Sequence, residues 1–180
     1  DQRAVGLGDA VAGFQERPDG GLEVSTKSGA SFDADMVVLA IGVRPETALA
    51  QAAGVALGAT RGISVDEHMR TSVDGIWAVG DAVEVKRAMS GVEVILPLAG
   101  PANRQGRIAA ADVLGRHVRF RGVQGTAVCG VFQTVVAMTG CSERSLRAAG
   151  VEDYERVYLH PGHHVGYFPG AKPIHLKLLF

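Results

Sequence analysis

The chain has 180 residues, 47% hydrophobic and 21% charged, with a formal net charge of −1. That length suits one large domain or two small ones, and the composition is that of an ordinary folded protein. A near-neutral chain without a basic stripe gives no electrostatic case for nucleic acid, and no apolar run approaches membrane-spanning length.

The opening residues, Asp1-Gln2-Arg3, lack the charged-then-apolar pattern of a signal peptide. Residues 3–42 read as an antiparallel meander. Ala4 to Gln15 carries strand-like patterning, Pro18-Asp19-Gly20-Gly21 is a turn, and Leu22 to Thr26 alternates as a half-buried strand does. Ser28-Gly29 is a second turn. Asp35 to Gly42 is a continuous apolar run ending in glycine, which predicts a buried strand. Pro45 pre-sets a first helical turn, Leu49 to Ala53 forms a short helix, and Gly54 closes it. Ile63 to Asp66 is a short strand.

Asp74-Gly75 reads as a turn, and Ile76 to Val79 as a short strand buried on both faces. Gly80 then allows a bulky ligand close to the backbone. Asp81 places a carboxylate at the carboxyl end of that strand, where open α/β sheets bind ligands, and so suggests an acceptor for sugar-type hydroxyls. Pro97-Leu98-Ala99-Gly100-Pro101 precedes a long helix over Ala102 to Leu114, capped by Gly115. From Gly122 the chain turns β-rich through Thr139. Ser142-Glu143 opens a helix over Arg144 to Ala149 that Gly150 closes, then come a strand over Tyr154 to His160, a His-Pro-Gly loop, and a last strand from Ile174. Domain boundaries fall near residues 44 and 121.

The glycine content, 24 of 180, fits tight strand-to-helix turns and a backbone-lined ligand site. Cys129 and Cys141 form neither a CxxC pair nor a zinc spacing and read as small buried hydrophobes in a cytoplasmic protein. His160, His163, His164 and His175 lack the carboxylate or cysteine that would complete a metal ligand set.

Thr71 through Ala82 resembles the second flavin fingerprint of the FAD-dependent pyridine nucleotide-disulfide oxidoreductases. Leu39-Ala40-Ile41-Gly42-Val43-Arg44-Pro45 resembles the loop that returns such chains from the NAD(P)H domain to the FAD domain. Leu96 through Arg107 is similar to the helix that points its N-terminus at the flavin. Gly125-Thr126-Ala127, with Val131-Phe132 and Thr139-Gly140, looks like the start of the dimerisation domain. His164 through Ala171 resembles a loop of the coenzyme A-disulfide reductase, NADH oxidase and persulfide reductase branch. Relatives of ferredoxin reductase or apoptosis-inducing factor share the Gly-Asp motif but lack the helix match and the Gly-Tyr loop.

The resemblance implies a mixed α/β and α+β chain. Residues 1–43 are the end of an NAD(P)H-binding domain, 44–121 the second segment of a two-segment FAD-binding domain, and 122–180 the first part of an α+β dimerisation domain. It implies FAD contacts at Gly80, Asp81 and Ala82, and at the Leu98, Ala99 and Gly100 backbone, where helix N–H groups stabilise negative charge on the ring. Asn103 is implied near a thiol substrate. Tyr167 is implied as a proton donor reaching the thiol site of a partner subunit, with Phe168 where the branch often has a second tyrosine. Arg104 and Arg107 read as solvated helix-face residues. The implied protein is a homodimer that passes a hydride from NAD(P)H to FAD and electrons on to a redox cysteine. The final acceptor is a coenzyme A disulfide, a persulfide or oxygen, with disulfide or persulfide preferred on the His164–Ala171 loop.

No GxGxxG follows a strand, Gly6-Leu7-Gly8-Asp9 lacks the third glycine, and neither cysteine matches the family's redox position. With no initiator methionine and an unfinished strand at Leu178-Leu179-Phe180, the chain reads as an internal piece of the enzyme. The alternative is a catalytically inert flavin-site and dimerisation fragment.

Overall fold

The structure, a computed structural model, describes residues 8–180, so the strand signal over Ala4–Leu7 and part of the Gly6-Leu7-Gly8-Asp9 run lie outside the described residues. The chain divides into two compact units, Asp1–Val43 and Arg44–Phe180. No helix among the described residues is long and apolar enough to cross a membrane.

In the first unit, β1 (Val11–Glu16), β2 (Leu22–Thr26) and β3 (Ser31–Ala34) form the expected antiparallel meander in the order β1-β2-β3. Gly20, at φ +87°, takes the turn between β1 and β2. Asp9 fixes the next turn by accepting from the Ser28 hydroxyl and N–H. The buried strand predicted over Asp35–Gly42 is not formed. That segment pairs with no described residue, and Met36, Val38, Leu39 and Ile41 are exposed. A continuous apolar run is the mark of a strand flanked on both sides, and no described residue supplies a flanking strand.

The second unit opens with α1 (Ala48–Ala52), three residues beyond Pro45 rather than on it. Gly54, at φ +78°, ends it, and Val55 N–H returns to Ala50 C=O at 2.9 Å. Next, β4 (Ile63–Ser64) pairs parallel with β5 (Val83–Lys86), and β5 pairs antiparallel with β6 (Glu93–Ile95). The sequence pattern does not predict β5 or β6. Alternating Val83-Glu84-Val85-Lys86 suggests one wet face, yet Glu84 is buried beside Val83 and Val85. Val83 and Val85 meet Val123 in the core, packed by Ile63, Val65, Ala78, Val94, Leu96 and Phe120.

The strand predicted over Ile76–Val79 is also absent. Trp77 makes a single bridge to Arg70, and a tight hairpin is closed by Thr71 N–H to Ile76 C=O and Ala78 N–H to Met69 C=O. Asp74-Gly75 forms its turn, with Gly75 at φ +76°. As with 35–42, a strand buried on both faces needs neighbours that the described residues lack.

Then come α2 (Ala99–Val113), the hairpin β7 (Ala127–Val131) with β8 (Thr134–Met138), α3 (Glu143–Ala148), and the pair β9 (Arg156–Leu159) with β10 (Leu176–Leu179). Ser142 and Ser145 close a reciprocal capping box on α3. Cys129, expected to be buried, is exposed because among the described residues β7 and β8 pair only with each other and leave a face uncovered.

Glu84 anchors the turn before β4. Its carboxylate accepts from the Thr60 N–H and hydroxyl and packs against Gly58, where any Cβ would overlap it. Burial pushes its carboxyl up. Hydrogen bonds from Thr60, Glu93 and the Ala59 N–H outweigh that and hold it below the ordinary glutamate value of 4.5. A carboxyl depressed on folding stabilises above its unfolded pKa and loses that contribution as pH falls through the folded one. Glu84→Gln should therefore be less stable than the parent at pH 7, and the gap should narrow below about pH 4.5. Urea midpoints across pH 3 to 7, about the range spanning both states, check this; a gap constant with pH would refute it.

Candidate functional site

Gly80-Asp81-Ala82 forms the turn that feeds β5. Ala82 C=O accepts from Ile63 N–H at 2.8 Å, tying the turn to β4, and Val83 N–H reaches back to Gly80 C=O at 3.4 Å. Gly80 sits at φ +91°, where an L side chain is strained, and the space a Cβ would occupy is open. Asp81 is exposed, and its carboxylate accepts no hydrogen bond and joins no ion pair among the described residues. The turn is thus a carboxylate held out from a backbone that can be approached closely. It precedes a strand, instead of ending one as the sequence suggests.

Helix α2 starts earlier than predicted. Leu98 is the N-cap, and Ala99 and Gly100 are its first two residues. Leu98 N–H is taken by Leu96 C=O at 2.9 Å, and Pro101 has no N–H. Helix geometry then leaves the N–H groups of Ala99 and Gly100 as the end's free donors. No side chain among the described residues caps them, and no acidic residue sits in the first turn. The helix dipole adds to their preference for negative charge. Asn103 lies one turn further on, its Oδ1 accepting from Arg107 Nη2, which leaves the Asn103 amide hydrogens as its free edge. Arg104 stacks its guanidinium 5.8 Å from the Phe120 ring centre.

Two polar residues that the sequence pattern does not single out lock this arrangement. Gln105 is buried, and its Oε1 accepts from Gly80 N–H at 2.7 Å. Asp112 is buried too. It takes a two-pronged ion pair from Arg70 (Nε to Oδ2 2.6 Å, Nη2 to Oδ1 2.9 Å), a bond from Trp77 Nε1 at 2.9 Å, and a third partner in His117 Nδ1 at 3.0 Å. The Arg70 pairing is what chiefly holds the Asp112 carboxyl far below the usual carboxylate range; burial opposes it, and Trp77 and His117 add to it. The signal was available: Gln105, Ile108 and Asp112 are the buried positions of α2, at helical spacing on one face. Polar residues inside an apolar stripe mark an internal partner.

The structure therefore brings Gly80, Asp81 and Ala82 against the helix that carries Leu98, Ala99, Gly100 and Asn103. Tyr167 lies in the loop between β9 and β10, is 89% exposed, and bonds to none of these residues. Phe168 stacks on His164 with ring centres 4.3 Å apart. His160 Nδ1 and His175 Nδ1 lie 2.7 Å apart, and no three metal-ligating side chains converge among the described residues.

The protein family described as pyridine nucleotide-disulphide oxidoreductase matches residues 4–106. The NAD(P)H sulfur oxidoreductase (CoA-dependent) of Pyrococcus abyssi is 36% identical over 155 residues, covering 86% of this chain and 34% of that protein. Two solved structures superpose with a TM-score of 0.85: reduced Bacillus anthracis CoADR-RHD and an NAD-dependent persulfide reductase from A. fulgidus. The first is 42% identical and covers 96% of this chain and 30% of its own; the second is 36% identical and covers 95% and 31%. The chain spans about a third of the length of the curated relatives it matches.

Proposed function

The chain belongs to the pyridine nucleotide-disulphide oxidoreductase family, and from that premise we propose that it forms one wall of the FAD site in a longer NAD(P)H oxidoreductase. The acceptor is a small disulfide or persulfide such as coenzyme A disulfide. The observation that carries this reading is the pairing of two unsatisfied groups. Among the described residues the Asp81 carboxylate has no partner, and the α2 N-terminus offers the free N–H groups of Ala99 and Gly100. Gln105 fastens the two elements together.

The donor set suits FAD. A carboxylate accepts from sugar-alcohol hydroxyls, helix N–H groups favour a ring edge that gains negative charge, and Gly80 leaves its side of the turn open. Bound FAD would supply the two-electron chemistry. This chain's residues bind and orient: Gly80, Asp81 and Ala82 at the ribityl side, and Leu98, Ala99 and Gly100 at the ring. Asn103, whose amide hydrogens stay free while its Oδ1 accepts from Arg107, donates to a thiol or thiolate substrate in this reading.

In this reading residues 1–43 close an NAD(P)H-binding domain, 44–121 form the second FAD segment, and 122–180 begin the dimerisation domain. The exposed apolar side chains of Met36–Ile41 and of the β7–β8 hairpin are covered in the intact homodimer. Tyr167, exposed on its loop, acts across the subunit interface as proton donor to a leaving thiolate. The redox cysteine lies elsewhere in the polypeptide, and the enzyme is cytoplasmic.

The test is turnover of the intact, FAD-loaded polypeptide with NADH against coenzyme A disulfide, coenzyme A persulfide and oxygen. The expected result is faster NADH oxidation with the disulfide or persulfide. Oxygen as the best acceptor overturns the substrate class. A polypeptide that takes up no FAD overturns the reading as a whole and leaves an inert scaffold.

A further inference from the structure

The N–H of Gly80 goes to no main-chain carbonyl among the described residues; its acceptor is the Gln105 side chain at 2.7 Å. Gln105 is 2% exposed, so its amide has given up water to make this contact. A buried glutamine is unfavourable unless it is partnered, and a buried N–H left unpaired is more so. Neither group is needed to fill the α2 stripe, where an apolar side chain of similar length would pack. The bond therefore does something that packing does not.

Helix α2 has two polar anchors. Near its C-terminus Asp112 holds it to Arg70 and Trp77 on the Met69–Ala78 hairpin. Nearer its N-terminus Gln105 holds it to the Gly80 turn. Ala99 and Gln105 are six positions apart, about 9 Å along the axis. Without Gln105 the first buried residue of α2 is Ile108, about 14 Å along the axis from Ala99, so the N-terminal turns lose their nearest hold.

We infer that Gln105 is a positioning residue: its carbonyl oxygen holds the Gly80 peptide so that the Asp81 carboxylate and the Ala99 and Gly100 N–H groups keep one fixed separation. The inference rests on the flavin reading above, since that separation matters only if one ligand spans both elements. The main chain cannot impose it, because residues 83–98, including β5 and β6, intervene between the turn and the helix start.

The experiment compares Gln105→Met and Gln105→Glu in the intact polypeptide, measuring FAD affinity, the visible flavin spectrum and the flavin midpoint potential. Met matches the length of glutamine but accepts no bond of this strength; Glu keeps an acceptor oxygen. Gln105→Met should weaken FAD binding roughly tenfold, about 1.4 kcal/mol, and shift both the spectrum and the potential. Gln105→Glu should keep affinity within about threefold of the parent, since the Gly80 N–H retains its acceptor. A merely structural role would lower the unfolding midpoint of both apo proteins without moving the potential. If Gln105→Met does not accumulate in soluble form, Gln105→Asn, one methylene short of Gly80, carries the same test. Parent-like affinity and potential in Gln105→Met, with the parent binding FAD, overturn this inference alone. A parent that binds no FAD overturns both it and the reading it rests on.

Discussion

Asp81→Ala should lower the affinity of the intact polypeptide for FAD roughly a hundredfold, the loss expected for two charge-assisted hydrogen bonds, while leaving the unfolding midpoint of the apo protein unchanged. The two halves of this result have separate causes. Asp81 is exposed on its turn and bonds to nothing among the described residues, so the fold loses no contact with it. Its only work in this reading is to accept hydroxyls, and an ionised carboxylate offers two oxygens for that. Asp81→Asn keeps one acceptor oxygen and should fall between, at roughly tenfold. Titration of the apo protein with FAD, followed by flavin fluorescence, measures both. Undiminished affinity in Asp81→Ala would remove this carboxylate from the site.

Gly122→Ala should destabilise the second unit by about 3 kcal/mol or more, from a left-handed backbone and an overpacked contact together. Gly122 has φ +81°, and a Cβ there would lie 2.5 Å from the Lys86 carbonyl oxygen. That oxygen cannot retreat at low cost. It accepts from Val123 N–H at 3.0 Å, and Lys86 is the last residue of β5, in register with Glu93. Val123, next in the chain, is 1% exposed and completes the core with Val83 and Val85. The strain is thus delivered to the sheet that carries the Gly80–Ala82 turn. A drop in the urea midpoint accompanied by weaker FAD retention is expected. A parent-like midpoint would mean that the 86–88 strand end yields far more easily than its bonds suggest.

Elements that depend on neighbours in sequence are legible in the sequence itself. The β1–β2 turn at Gly20, the Gly54 end of α1, the Gly115 end of α2 and the Ser142 start of α3 follow from local backbone preferences and caps, whereas α2 begins at Ala99, ahead of its Pro101 signal. The elements that went astray depend on distant partners. Asp35–Gly42 and Ile76–Val79 have the composition of strands buried on both faces, but a strand exists only where another backbone pairs with it. Conversely, β5 alternates like a half-exposed strand while Glu84 is held inside by Thr60 and Gly58, residues more than twenty positions away.

The same division runs through the site. The residue types that suit a flavin, Gly80 and Asp81 on a turn and Pro101 in the first turn of a helix, were readable because each is a local backbone signal with its own chemistry. That Gln105 reaches Gly80, and that Asp112 gathers Arg70, Trp77 and His117, was not readable. Those contacts join positions that only folding brings together. The sequence alone determined which groups are available to bind and where the helices stop; the tertiary structure decided which groups remain unsatisfied. That follows because hydrogen-bond satisfaction is settled by whichever partner lies within about 3 Å in space, whatever its distance along the chain.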